Sequence, residues 1–273
     1  MQSIVFLILL ISGIGTMFGG LLCCYIKQTH KNFAIGLSFF AGIMIYMSLA
    51  DVLKKAEHIF LKSYSQNVTN WITTLLFCIS VFLVVLIDMF LNKINKKIIS
   101  IDKQITFAEI NKIELIKIIL FCLLSITIHN IPEGLYVYMV SGDSLKSFYH
   151  VVLPMVLHNI LEGVAVAFPM YYLINNKYKV AVYSFLCGIF EIFGLLFITL
   201  LSHNMMNYHI FCFLIIFSSV MMLYIAFNKM IFLARKYGND EIVFKGIFIG
   251  ILFMMIVENI TPNIANMFLF LYQ

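Results

Sequence analysis

His129-Asn130-Ile131-Pro132-Glu133-Gly134 and His158-Asn159-Ile160-Leu161-Glu162-Gly163 are two copies of one hexapeptide, differing only at Pro132 against Leu161. Each copy is embedded in an apolar run, Leu115 to Val140 for the first and Phe148 to Ile174 for the second. Runs of this length exceed the roughly 20 residues that a helix needs to cross a bilayer. Two ionisable motifs placed inside such runs define a membrane protein with a polar interior.

The rest of the chain agrees. Of 273 residues 62% are hydrophobic, 15% aromatic and only 11% charged, more apolar surface than one soluble core buries. Hydropathy divides the chain into eight predicted spans: Ser3 to Ile26, Asn32 to Leu53, Trp71 to Leu91, Leu115 to Val140, Phe148 to Ile174, Val180 to Leu201, Ile210 to Arg235 and Val243 to Phe270. The expectation is an all-α membrane protein, a single polytopic domain over 1–273. The connections are short except at 92–114, which is rich in Lys, Asn and Ile and reads as a mobile polar loop. The first span lacks the basic start of a signal peptide and is read as retained.

Charge sets the orientation. Assigned alternately to the two sides, the connections after the odd-numbered spans hold thirteen Lys and Arg residues and those after the even-numbered spans four, Lys229 lying inside the seventh span. The positive-inside rule then places both termini outside the cytosol, in a plasma or organelle membrane, with the 92–114 loop inside. The net charge of +5 is explained by this topology, and nucleic acid is not an expected partner. The six cysteines, including Cys122 and Cys187, lie in apolar runs without CxxC and read as packing residues. Gly15, Gly19, Gly246 and Gly250 read as close helix contacts.

Within each hexapeptide His and Glu are four residues apart and share a helix face, with Asn about 100° to the side. Side by side, the two helices present two imidazoles, two carboxylates and two amides to one volume. Glu133, Glu162 and Glu191 of the sixth span, left ionised and unpaired at mid-bilayer, would cost on the order of 9 kcal/mol together. No base inside the spans is an obvious partner, since Lys229 lies toward the cytosolic end of the seventh. A bound cation offsets the cost. Nitrogen with carboxylate and amide oxygen suits zinc, ferrous iron, manganese or cobalt, whereas copper(I) calls for sulfur and magnesium for oxygen alone. Pro132 frees the carbonyl of Ile128, and Pro154 and Pro169 are expected to break the fifth span. Asp51, Asp88 and Glu258 lie nearer helix ends, the sixteen methionines read as gap fillers, and His30, His58, His150, His203 and His209 read as structural. An enzyme with a binuclear centre is disfavoured because HExxH is absent. A carrier of organic solutes would not need two imidazoles and two amides.

At these motifs the sequence resembles the ZIP family of zinc- and iron-regulated transporters, in its bacterial ZupT and GufA branch. Gly188-Ile189-Phe190-Glu191-Ile192-Phe193-Gly194 is similar to the family's sixth-helix GxxEPxG, and Gly246 to Glu258 resembles its eighth helix. The resemblance implies a two-metal transport site between the fourth, fifth and sixth helices. Its ligands would be His129, Asn130, Glu133, His158, Asn159, Glu162 and Glu191, with Glu133 and Glu162 placed to bridge. It further implies a 3+2+3 inverted-repeat bundle, a homodimer, extracytosolic termini, and zinc or ferrous iron as transported substrate with no cofactor and no catalysis. The first, fourth, fifth and sixth helices would move as a unit. The chain departs from the family pattern at Leu161 and Ile192, where proline is usual, in the 92–114 loop, which lacks a histidine cluster, and at Asn228-Lys229, where many relatives have His-Glu. Asp88 and Lys229 are expected to form an internal ion pair.

Overall fold

A computed structural model describes residues 2–27, 29–99, 107–140, 145–200 and 208–271; some side chains within these helices, those of Asp51 and His150 among them, lie outside the description, as does His203. The chain runs as α1 (Gln2–Cys23), α2 (His30–Tyr46), a π-helical turn (Met47–Val52), α3 (Leu53–Leu61), α4 (Gln66–Ile99), α5 (Phe107–Val140), α6 (Leu145–Ile174), α7 (Lys177–Ile189), α8 (Glu191–Leu200), α9 (Tyr208–Ile225), a second π-helical turn (Ala226–Ile231), α10 (Phe232–Tyr237) and α11 (Asp240–Leu271). No strand occurs among the described residues.

Local chemistry sets the helix ends. Thr29, Asn176 and Asn239 accept from backbone N–H groups three residues on, at 3.1, 3.1 and 3.0 Å, satisfying donors that a helix start leaves open. Asn175 ends α6 with a left-handed φ of 49°, a conformation that Asn tolerates, so α6 turns into α7 within two residues. The expected polar connection at 92–114 is mostly helical: α4 continues to Ile99 and α5 starts at Phe107, leaving only 100–106 outside the description. Lys93 near the end of α4 carries the charge that favours that helix terminus.

Among the described residues five stretches are long and apolar enough to cross a membrane: Val5–Cys23, His30–Leu61, Gln66–Phe90, Met155–Ile174 and His209–Tyr237. The described residues of the remaining expected spans also lie on helix. The sixth differs in one respect: it is broken at Phe190, whose N–H reverts to the Cys187 carbonyl three residues back at 3.3 Å. The expected breaks in the fifth span are not there, since α6 is one helix through Pro154 and Pro169. A proline in a continuous helix costs one amide bond, which neighbouring helices make tolerable.

α1 packs along α6 and α7, α11 along α2, and α5 against α8 and α9. Gly19 and Gly250 mark such crossings, as expected: an added Cβ would stand 2.0 Å from the Ile160 carbonyl at one and 2.0 Å from that of Phe39 at the other. Two apolar clusters form the interior. One gathers Cys23, Phe33, Ile126, Val164, Phe168, Cys187 and Met221; the other gathers Val5, Leu9, Phe60, Leu135, Met155 and Phe211. Between them α1, α5, α6 and the α7–α8 break each contribute a short polar segment, so the polar layer lies at mid-depth. Trp71, Leu75, Phe82, Met89 and Phe90 of α4 are exposed, a face suited to lipid.

Candidate metal centre

The polar layer contains the two hexapeptides. His158 Nε2 lies 3.2 Å from Oε1 of both Glu133 and Glu162, and His129 Nε2 lies 3.4 Å from Glu162 Oε1 and 3.8 Å from Glu133 Oε1. The imidazoles stack with centroids 5.8 Å apart. Ligand atoms of His129, Glu133 and His158 lie within 4.8 Å of one another, a spacing that fits one metal ion. The i, i+4 arrangement in α5 and its copy in α6 thus converge as their spacing requires.

The motif glycines explain the convergence. A Cβ on Gly134 would stand 1.9 Å from the Glu191 carbonyl, and one on Gly163 would stand 2.0 Å from the Thr16 carbonyl. Each glycine follows its glutamate and lets a neighbouring backbone, α8 in one case and α1 in the other, press against the helix that carries the ligands. Burial does the rest: His129, Asn130, His158, Asn159, Glu162 and Glu191 are all buried and Glu133 nearly so.

The other residues expected in the site divide. Asn130 turns its amide nitrogen to the Cys187 carbonyl at 3.0 Å, where α7 approaches its break. Glu191 opens α8 and accepts from Ser12 Oγ at 3.2 Å and from Asn159 Nδ2, which also donates to Ser12 Oγ. Sequence reasoning missed Ser12, which lies 179 positions from Glu191 in an apolar helix without a repeat to mark it; its one signal is the polar pair Ser12 and Thr16 one turn apart. His129 Nδ1, Asn130 Oδ1, Glu133 Oε2, Asn159 Oδ1, Glu162 Oε2 and Glu191 Oε2 are buried without a hydrogen-bond partner among the described residues, while Glu162 Oε1 faces the two imidazoles. With one exception, at His129, these are oxygen acceptors. A buried set of orphan acceptors has the chemistry that suits a cation.

Among the described residues no Lys or Arg is shown paired with these carboxylates. Lys229 Nζ lies 2.5 Å from Asp88 Oδ1, and the Tyr224 hydroxyl donates to Asp88 Oδ2 at 2.8 Å. The expected pair is therefore present, with Lys229 in the second π-helical turn. Asn228 Nδ2 donates to the Tyr224 hydroxyl. Of the histidines read as structural, His30 Nδ1 meets the Tyr172 hydroxyl at 3.3 Å and stacks on Tyr237, while His209 Nε2 meets the Tyr64 hydroxyl at 3.4 Å. All six cysteines are free, Cys78 alone being exposed.

No family model matches the chain. Among curated proteins it is similar to Zinc transporter ZupT of Streptococcus mutans serotype c, with 30% identity over 255 residues covering 92% of this chain and 95% of that protein. It is similar to Zinc transporter ZupT of Clostridium perfringens at 27% over 266 residues, covering 92% and 93%, and to that of Oceanobacillus iheyensis at 29% over 259 residues, covering 92% and 95%.

Proposed function

The chain belongs to the ZIP family of metal transporters, in its bacterial ZupT-like branch, and on that premise we propose that it carries zinc across a membrane into the cytosol through the polar layer. It is an integral membrane transporter and not an enzyme. The observation that carries the zinc reading is the buried quartet of His129, Glu133, His158 and Glu162, with histidine nitrogen to carboxylate oxygen distances of 3.2 to 3.8 Å. Imidazole and carboxylate together favour zinc and its borderline neighbours, so ferrous iron, manganese, cobalt and cadmium enter as competing or alternative substrates.

In this reading the transport site is binuclear. His129, Glu133, His158 and Glu162 form its centre, Asn130, Asn159 and Glu191 supply oxygen to the second ion, and Glu133 and Glu162 bridge. Support comes from the orphan oxygens of all five carboxylate and amide residues and from the break before Glu191, since interrupted helices at mid-depth are a common way to build transporter sites. Eight spans in one domain, a 3+2+3 inverted repeat, extracytosolic termini, a cytosolic connection near 92–114 and a homodimer complete the proposal. The test is uptake of radioactive zinc into proteoliposomes. Saturable uptake that Glu133→Ala and His129→Ala abolish is expected; no uptake by the wild-type chain, or full uptake by either variant, overturns the reading.

A further inference from the structure

Ser12 belongs to the metal site although it carries no strong ligand. It is fully buried in α1 and closes a ring of three hydrogen bonds. Asn159 Nδ2 donates to Ser12 Oγ and to Glu191 Oε1, and Ser12 Oγ donates to the same Glu191 oxygen. An amide nitrogen has two hydrogens and a hydroxyl one, so the ring consumes every donor in the group. What remains are two acceptors, Asn159 Oδ1 and Glu191 Oε2, both buried and without a hydrogen-bond partner among the described residues. A ring that uses up its donors and leaves bare oxygens prepares those oxygens for a cation.

The surrounding backbone fixes the ring. α1 is held against α6 where Gly163 meets the Thr16 carbonyl, and against α7 where an added Cβ on Gly188 would stand 2.4 Å from Thr16 Oγ1. Thr16 Oγ1 in turn donates to the Ser12 carbonyl at 3.4 Å. Ser12 thus stands at the meeting of three helices, one carrying Asn159, one opening at Glu191, and its own. Glu191 follows directly on the break at Phe190, where the N–H turns back to the Cys187 carbonyl at 3.3 Å.

We propose that Ser12 is the positioning residue of the oxygen-rich half of the site, aiming Asn159 Oδ1 and Glu191 Oε2 at the second metal ion. The inference rests on the two-ion reading above. It sets the two halves of the site apart: the side-chain bonds of Ser12 run to Asn159 and Glu191, so Ser12 acts on the second ion.

The experiment titrates zinc alone into purified wild-type protein, Ser12→Ala and Ser12→Thr in detergent, reading stoichiometry and affinity by calorimetry. Wild type binds two ions. Ser12→Ala is expected to weaken the second by about tenfold, the scale of one hydrogen bond to a charged group, with the first unchanged, and Ser12→Thr, which keeps the hydroxyl, to restore it. Unchanged affinity for both ions in Ser12→Ala overturns the inference and leaves the two-ion reading standing. Equal weakening of both ions in Ser12→Ala and Ser12→Thr alike marks Ser12 as packing and also overturns it. A single ion in the wild-type protein overturns the two-ion reading itself, and the inference with it.

Discussion

Gly163→Ala is the most demanding test of how the bundle builds its site. The new methyl would stand 2.0 Å from the Thr16 carbonyl oxygen and 2.8 Å from its carbon. An ordinary carbon–oxygen approach is about 3.4 Å, so α1 and α6 must separate by roughly 1.4 Å along this seam. No flexible side chain can yield, because the obstacle is backbone. The displacement falls within one turn of Asn159 and Glu162 and pulls both away from α1 and from the α5 ligands. Overpacking of this kind costs about 2 kcal/mol, which at 1.4 kcal/mol per decade corresponds to a rise of roughly 30-fold in the zinc concentration for half-maximal uptake. Gly15→Ala on the same seam is the control. There the added carbon meets the Val156 carbonyl at 3.2 Å, a clash that a shift of a few tenths of an ångström relieves, and uptake should stay within about twofold of wild type. Proteoliposome uptake of radioactive zinc measures both. Wild-type uptake in Gly163→Ala, or equal damage in the two variants, would refute the claim that this contact sets the site.

Glu162→Gln should abolish zinc uptake while leaving the protein in the membrane with an unchanged gel-filtration profile, because its buried Oε1 faces both imidazoles. Cadmium, ferrous iron and cobalt should compete with zinc, and calcium or magnesium at similar concentration should not, since neither hard cation favours imidazole; equal inhibition by calcium would remove the histidines from the site. Lys229→Met removes the ammonium beside Asp88, a pair of which 16% and 12% of the side chains are exposed, and should lower stability by about 3 kcal/mol in thermal unfolding. Adding Asp88→Leu to that variant should recover most of the loss. Lys229→Glu should instead raise the number of zinc ions bound, because Asp88 would then face a second carboxylate; unchanged stoichiometry would count against the tethered ammonium as a stand-in for a cation.

The sequence carried the parts of this structure that repeat. The duplicated hexapeptide gave a common helix face for His and Glu, and α5 and α6 bring those faces together. The Asp88–Lys229 pair was legible because two charges in apolar runs near the same end of the bundle need each other. Ser12 was not legible, since a serine in an apolar helix acquires meaning only from Glu191, distant in sequence. The break at Phe190 was missed because no proline marks it, Ile192 standing where one is usual; Asn130 meets the Cys187 carbonyl at the break, a tertiary interaction. The two π-helical turns, at Met47–Val52 and Ala226–Ile231, likewise have no local signature. Ser219 Oγ donates to the Ser48 carbonyl within the first at 2.8 Å, so a neighbouring helix helps to accommodate it. Prolines misled in the opposite direction, because α6 absorbs Pro154 and Pro169 without breaking.

In the proposed function the His and Glu side chains of α5 and α6 hold the transported ion. X-ray absorption at the zinc edge, on purified protein loaded with one equivalent of zinc, reads that directly. The account predicts nitrogen and oxygen neighbours at about 2.0–2.1 Å with the outer-shell scattering of two imidazoles, one of which is lost in His129→Ala and one in His158→Ala. A shell of sulfur at about 2.3 Å, or of oxygen with no imidazole scattering, would contradict it.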